Sequence, residues 1–434
     1  MKASFIHIAD THLGYEQYGV RERFNDFSRA FWDIMQEAVE RRVTFVVIAG
    51  DLFNKRAIDA LTLIHAIEGL KELKRLGIPV LAIEGNHDRS YYREGTSWLQ
   101  FLCHQGYLML LNPRMQDGAP LLEPWNQRSM LGAYADLLEG RLRVYGLKWQ
   151  GASTLSSLEG MIKALDTARE TEQESGVEYR LLMMHTGIDG VVPRLTGLPT
   201  ENQFEPLKRH IDYLALGHVH KPFERGGWIF NPGSTETCGA EEAAWEDRGY
   251  YYVEIDTDAP AQRHIAQHLV SKRRPFIRYE LRVDGLNEPA EVYAHLQTYS
   301  QNEGPRHQHD AYRPLVHIQL IGTLAFDASA LDFAHMEELV TTHFAPLYVR
   351  IDNNTNDRDY LPENSDLDGR DRSNWHELER HVFEELVGRD VRYLPAREQW
   401  GGVLAQLKEM ALDKQDPAQI AQFLRTKREE LLER

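Results

Sequence analysis

Phe45-Val46-Val47-Ile48-Ala49-Gly50-Asp51 is the stretch on which the reading of this chain turns. An unbroken apolar run suits a strand buried on both faces, and the glycine lets the backbone turn tightly before a carboxylate is set down at its end. The same figure recurs along the first 256 residues. Phe5 to Ala9 ends in Asp10-Thr11-His12, and Val80 to Ile83 leads into Gly85-Asn86-His87-Asp88. Leu181 to Met184 ends in His185, Tyr213 to Leu216 in Gly217-His218-Val219-His220, and Leu142 to Leu147 is a further run of this kind. Amphipathic helices lie between several of these strands. One covers about Phe24 to Arg41, with Phe27, Phe31, Ile34, Met35 and Ala38 on one face, and another about Asp59 to Leu76, closed by Gly77 and Pro79. Strands alternating with helices predict an α/β fold.

In an open α/β sheet the loops beyond the carboxyl ends of the strands share one edge, so residues far apart in sequence meet there. The polar residues of the five loops give Asp10, His12, Asp51, Asn86, His185, His218 and His220 as candidate metal ligands. Two carboxylates, one amide oxygen and four imidazoles are too many for one ion. A pair of ions roughly 3.5–4 Å apart, bridged by a carboxylate, would use all seven, and Asp51, alone on its loop, is the candidate bridge. Nitrogen and oxygen ligands without thiolate suit manganese, iron or zinc better than magnesium or calcium. Each motif alone has a plainer reading: Asp10-Thr11-His12 as a helix cap or surface pair, Gly85-Asn86-His87-Asp88 as a turn, His185 as a core histidine. His218 and His220 are stronger, because they flank one residue of an extended segment and so present two rings on one side. Five such elements in this order are not explained as coincidence.

Composition bounds the rest. A chain of 434 residues with 42% hydrophobic content predicts a large core and two or three domains. No stretch approaches the roughly 18 consecutive apolar residues that span a bilayer, and Phe5 to Ala9 follows the N-terminus without an apolar signal region, so a cytoplasmic protein is expected. Cys103 and Cys238 are too few for a disulfide framework, and neither reads as a metal ligand. The net charge of -17 argues against a protein that holds nucleic acid unaided, unless divalent cations offset carboxylates and a partner supplies the phosphate-binding groove.

Beyond Asp256 the polar, Pro-containing stretch Thr257 to Gln262 reads as a linker, followed by the basic run Lys272-Arg273-Arg274, a candidate phosphate contact or simply a solvated face. Residues 257–352 are expected to form a small α+β domain, with strands at Ile277 to Val283, Leu315 to Leu320 and Leu347 to Ile351 and helices around Glu291 to Tyr299 and Leu331 to His343. Asn353 to Arg372 lacks apolar period and reads as a flexible tether. Residues 373–434 carry helical stripes: Trp375, Leu378, Val382 and Leu386; Val403, Leu407 and Met410; and Ile420, Phe423 and Leu424. Such a tail docks either on a partner or back on its own domain.

The ordered set resembles the calcineurin-like metallophosphoesterase superfamily, motif for motif. Within it, His12-Leu-Gly-Tyr15, Arg23-Phe-Asn-Asp26-Phe27 with Ala30-Phe31, Gly50-Asp-Leu-Phe53, Asn231-Pro-Gly-Ser-Thr-Glu236 and Arg274-Pro-Phe-Ile277 are similar to the SbcD-type nuclease subunits of double-strand-break repair complexes, over about the first 280 residues. The resemblance implies a layered α/β sandwich with a small α+β capping domain and a C-terminal helical tail. It implies one metal site from Asp10, His12, Asp51 and His220 and another from Asp51, Asn86, His185 and His218. In-line attack on a phosphodiester by a metal-activated hydroxide follows. His87 would touch the scissile phosphate or protonate the leaving oxygen, oriented by Asp88, the plainer alternative being a structural hydrogen bond.

The resemblance further implies a manganese-dependent DNA nuclease, exonuclease and single-strand endonuclease, joined by its C-terminal helices to an SMC-like ATPase. It also implies a homodimer, for which the helix Asp59 to Leu76 and the segment Trp98 to Cys103 are candidates. Asn54 departs from the histidine that archaeal members often carry three residues after the bridging aspartate. Two other functions use the same residues: a phosphatase or phosphodiesterase of small substrates, and a weakly active scaffold for the ATPase on DNA.

Overall fold

The computed structural model describes residues 1–90, 95–170, 176–193, 195–259, 261–307, 311–357, 380, 382–384, 386–387, 393, 396–412 and 417–432. In chain order the elements of the α/β part begin β1 (Lys2–Ile8), α1 (Arg21–Glu40), β2 (Phe45–Ile48), α2 (Ala60–Leu76), β3 (Val80–Ala82), α3 (Trp98–His104) and β4 (Met109–Leu110). The short hairpin β5 (Met115–Gln116) and β6 (Ala119–Pro120) leads to β7 (Tyr134–Leu137), β8 (Leu142–Leu147), α4 (Thr154–Glu170), β9 (Tyr179–Met184) and α5 (Glu201–Phe204). Then come β10 (Tyr213–Leu216), β11 (Phe223–Arg225), β12 (Ile229–Asn231), β13 (Gly249–Asp256) and β14 (His264–Val270).

These strands make two six-stranded sheets rather than one, in the orders β14-β13-β1-β2-β3-β4 and β11-β12-β10-β9-β8-β7. The period of two decides which layer each side chain enters. Phe5, Phe45, Val47 and Leu81 of the first sheet meet Val144, Leu181, Met183 and Ala215 of the second in a shared inner core. Their neighbours Ile6, Ile8, Val46 and Ile48 face the other way, onto Phe31, Ile34 and Met35 of α1 and Ala66 and Leu70 of α2. Leu182, Leu214 and Leu216 likewise pack on Leu158, Met161 and Leu165 of α4. The result is a helix–sheet–sheet–helix sandwich, which is why the central strands read as unbroken apolar runs. Helix α2 is bounded as its sequence requires, with the Asp59 side chain accepting from Thr62 N–H and Gly77 at φ 70 closing it.

The stretch Thr257 to Gln262 is not a linker between domains, because β13 and β14 on either side of it pair antiparallel from Gly249↔Val270 to Ile255↔His264. The first sheet therefore runs to Val270. After it come β15 (Phe276–Arg282), α6 (Pro289–Glu303), β16 (Leu315–Leu324), α7 (Phe333–Phe344) and β17 (Tyr348–Asp357), the strands forming a sheet in the order β15-β16-β17. Tyr279 of β15 stacks on Tyr299 of α6 with ring centroids 3.6 Å apart, Tyr299 also meets Phe344, and Leu296, Ile318, Met336 and Phe344 are buried. Strand β17 takes in Asn353 to Asp357, the first residues of the expected tether, since an edge strand needs backbone pairing more than apolar side chains; 358–372 lie outside the described residues.

By internal contacts the chain forms one unit of Met1–Leu281, Tyr293–Leu320 and Asp332–Asn353 and another of Arg282–Val292, Ile321–Leu331 and Asn354–Arg434. In the latter, α8 (Arg397–Leu412) and α9 (Pro417–Leu432) pack on each other; Trp400 and Val403 are buried, Trp400 edge-on to Tyr393, and Leu412 and Leu424 are exposed. Val382 and Leu386 are exposed as well, while Trp375 and Leu378 of the same expected stripe lie outside the described residues. Among the described residues no helix is long and apolar enough to cross a membrane.

Candidate metal centre

The loops that follow β1, β2 and β3 of one sheet and β9 and β10 of the other meet at a single edge, because these strands run parallel within their sheets. The first two loops are laced together: Asp10 N–H donates to Gly50 O, and the N–H groups of Thr11 and His12 both donate to Asp51 O. Tight lacing holds the backbone where side chains would not choose it. Asp10 (φ 54), His12 (φ 47), Asp51 (φ 53) and His218 (φ 79) all sit in the left-handed region, at a cost of roughly 1–2 kcal/mol each. Four strained residues among seven expected ligands mark a functional edge. Two glycines make the approach possible: a Cβ on Gly85 would lie 2.1 Å from Asp51 Oδ1, and one on Gly50 2.3 Å from His185 Nδ1.

All seven expected ligands converge. His185 Nδ1 lies 2.7 Å from Ala49 O, and a carbonyl can only accept, so Nδ1 carries the hydrogen and Nε2 faces inward. There it meets Asp51 Oδ2 at 3.2 Å and Asn86 Oδ1 at 3.1 Å, with His218 Nδ1 3.0 Å from the same Asn86 oxygen. Asp10 accepts twice from His218 N–H, at 3.1 and 2.9 Å, and its Oδ1 stands 4.0 Å from His185 Nε2 and 3.9 Å from His220 Nε2. His12 Nε2 is 3.1 Å from His220 Nε2, and His12 Nδ1 is buried without a hydrogen-bond partner. Ligand atoms of Asp10, Asp51 and His185 lie within 4.8 Å of one another, as do those of His12, Asp51 and His87.

This is a crowd of lone pairs with too few hydrogens between them, and its electrostatics say the same. Burial pushes Asp10 up to about 6. Burial works against a charged His185, yet Asp51 and Asp10 hold it at about 9. Burial also disfavours ionised Asp51, but His185, His12 and His87 keep it below the usual carboxylate range. Burial and the neighbouring rings drop His12 to about 3 and His218 to about 4, leaving both neutral and free to donate a lone pair. A proton on His185 occupies the place a divalent cation would take, so the donor set fits bound metal.

His87 is fixed differently from the expectation. Its N–H donates to Asp51 Oδ1 at 2.8 Å, its Nδ1 donates to Asn54 O at 2.7 Å, and its ring meets His12 edge-on with centroids 5.0 Å apart. Asp88 does not orient it. The Asp88 carboxylate accepts from Leu52 N–H, Phe53 N–H and Gly85 N–H and ties the loops after β2 and β3 together. Asn54 thus serves His87 through its main chain, which any side chain at that position preserves.

Two side chains not singled out from sequence border the cluster. Glu242 Oε1 accepts from His220 Nδ1 at 2.6 Å, and Cys238 offers its thiol beside His12 and His220. Burial pushes that thiol up to about 11 in the absence of metal. The basic run is structural rather than phosphate-facing at two of its three residues. Arg274 is buried and pairs with Asp26 at 2.6 Å, and Arg273 donates to the carbonyls of Arg248 and Glu246.

The family model for calcineurin-like phosphoesterases matches residues 3–222. The chain is 34% identical over 249 residues to the DNA double-strand break repair protein Mre11 of Archaeoglobus fulgidus, covering 55% of this chain and 52% of that protein. The protein of the same name from Methanococcus maripaludis is 25% identical over 262 residues, covering 58% and 63%. That of Haloferax volcanii is 30% identical over 259 residues, covering 58% and 50%. The chain thus spans about half the length of the curated relatives it matches.

Proposed function

Given that this chain belongs to the calcineurin-like phosphoesterase family, we propose that it is a two-metal phosphodiesterase acting on DNA in double-strand-break repair, as exonuclease and single-strand endonuclease. The observation that carries the chemistry is the inward set of ligand atoms around Asp51, with His185 Nε2 3.2 Å from Asp51 Oδ2 and 3.1 Å from Asn86 Oδ1, and His218 Nδ1 3.0 Å from the same amide oxygen. The names of the curated relatives supply DNA as the substrate class.

Asp10, His12, Asp51 and His220 would hold one ion and Asp51, Asn86, His185 and His218 the other; such donors suit manganese, iron or zinc, and manganese is the ion the family resemblance implies. Two such ions supply charge to stabilise a developing phosphorane and lower the pKa of water. The protein's own residues do the rest. Asp51 spans both sets, Ala49 O and Asn54 O aim the rings of His185 and His87, and His87 Nε2 is left to meet the scissile phosphate and give a proton to the leaving oxygen. By the resemblance, the part of the chain after β14 would help select the DNA form that enters. The exposed Leu61, Ile64 and Leu76 of α2 support a homodimer, and the apolar stripes of α8 and α9 support docking to an SMC-like ATPase.

Cleavage of end-labelled linear DNA with manganese, run beside His87→Ala and a chromogenic phosphodiester, tests this. DNA cleavage by wild type, lost in a variant that still binds metal, supports the reading. Turnover of the small diester with DNA untouched moves the isolated chain to the small-substrate class.

A further inference from the structure

We infer that Glu242 is a positioning residue for the metal centre: it fixes which nitrogen of His220 faces the site. The inference rests on the two-metal reading above and adds to it a residue outside the seven ligands. Glu242 lies in a single turn of 3-10 helix, Ala240–Ala244, and is buried. Each of its oxygens has its own task. Oε1 stands 2.6 Å from His220 Nδ1, while Oε2 accepts from Arg248 Nη1 at 2.6 Å and from Cys238 N–H at 2.8 Å. A carboxylate held this way can only accept, so His220 Nδ1 must carry a hydrogen and Nε2 is the nitrogen left facing His12 and Asp10, the one that would give its lone pair to an ion.

The clamp is itself braced. Arg248 is buried and donates to Ser234 Oγ, Thr237 Oγ1 and Trp245 O besides Glu242. The same segment is anchored at Glu236, which accepts from Arg23 Nη2 at 3.2 Å and from Thr237 N–H at 2.7 Å. The stretch Asn231 to Glu236 contributes no metal ligand. Asn231 Nδ2 donates to Val219 O and Lys221 O on either side of His220, Ser234 N–H donates to His220 O, and Ser234 Oγ accepts from Arg248 Nη1.

Glu242→Gln is the discriminating change, because it is isosteric and has one acceptor where three donors converge. With the amide oxygen kept by Arg248 and Cys238, the NH2 group faces His220 Nδ1 and forces the hydrogen onto Nε2, into the site. Metal-free protein is titrated with Mn2+ and followed by electron paramagnetic resonance. Wild type is expected to take up two ions with an exchange-coupled spectrum. Glu242→Gln is expected to bind one as wild type does and the other about 10–100-fold more weakly, with an uncoupled spectrum at the same loading. A purely structural role would shift melting without separating the two ions. Should this variant not fold, Glu242→Ala combined with Arg248→Met, which strands neither charge, gives the same comparison. A folded variant that binds both ions as tightly as wild type overturns the role of Glu242. A wild type that takes up no manganese sinks the two-metal reading and this inference with it.

Discussion

Loading the metal-free protein with manganese at pH 7 should expel protons, and the number follows from the geometry. His185, held at about 9 by Asp51 and Asp10 against its burial, carries a proton on Nε2, the atom that faces the other donors. His220 is likewise held well above its usual range, in spite of burial, by the Glu242 carboxylate at its Nδ1, while His12 at about 3 and His218 at about 4 have nothing to release. The uptake of two ions at pH 7 should therefore release about two protons, since a ligand nitrogen must shed its hydrogen to bind. At pH 6 Asp10, near 6 through burial, should add about half a proton more. Calorimetric titration in buffers of different ionisation heat reads this number directly. The sign for stability follows too. His185 and Asp10 both have folded values raised above their unfolded ones, so the metal-free fold draws stability from their protons at low pH and loses it as pH rises through about 6 and then about 9. The rise in melting temperature on adding manganese should grow from pH 6 to pH 9. Release of no protons, or a metal-induced stabilisation that shrinks over that range, would refute the placing of charge in this site.

Three further outcomes are expected. Asp26→Ala removes a carboxylate that receives Arg23 Nη1 at 2.8 Å and Arg274 Nε at 2.6 Å in a fully buried setting, and should cost about 3–5 kcal/mol in denaturant unfolding, recovered in part when Arg274→Met is added; a loss under about 1 kcal/mol would contradict it. Gly85→Ala drives a methyl into Asp51, 2.1 Å from Oδ1, and should weaken manganese uptake while destabilising the metal-free fold by about 1–3 kcal/mol, measured by metal titration and melting. Asn54→Ala should leave DNA cleavage within about twofold of wild type, because His87 Nδ1 is held by the main-chain carbonyl of Asn54, whereas His87→Ala should lower the cleavage rate about 100-fold or more.

The strands and their ligand loops were legible because a strand buried on both faces leaves an uninterrupted apolar run, and a polar residue at its end then stands out. The layering was given by the family resemblance and not by the pattern, since Val47 and Val144 look alike in sequence although they enter the inner core from opposite sheets. Strand β14 was missed because, as an edge strand with Ile265 and Val270 exposed, it offers no clean apolar face after a polar turn. Glu242 sits in Ala240-Glu-Glu-Ala-Ala244, where nothing distinguishes it from Glu241; only the approach of His220 gives it meaning. Lys272-Arg273-Arg274 read as a charge run, but the buried carboxylate that claims Arg274 is Asp26, 248 residues away. Pairings at that range leave no local trace.

The most direct measurement of the central claim is anomalous diffraction at the manganese edge from crystals of the loaded protein. Two peaks flanking the Asp51 carboxylate, one against His12 and His220 and the other against Asn86, His185 and His218, are predicted. A single peak, or two peaks that do not share Asp51, would contradict the account.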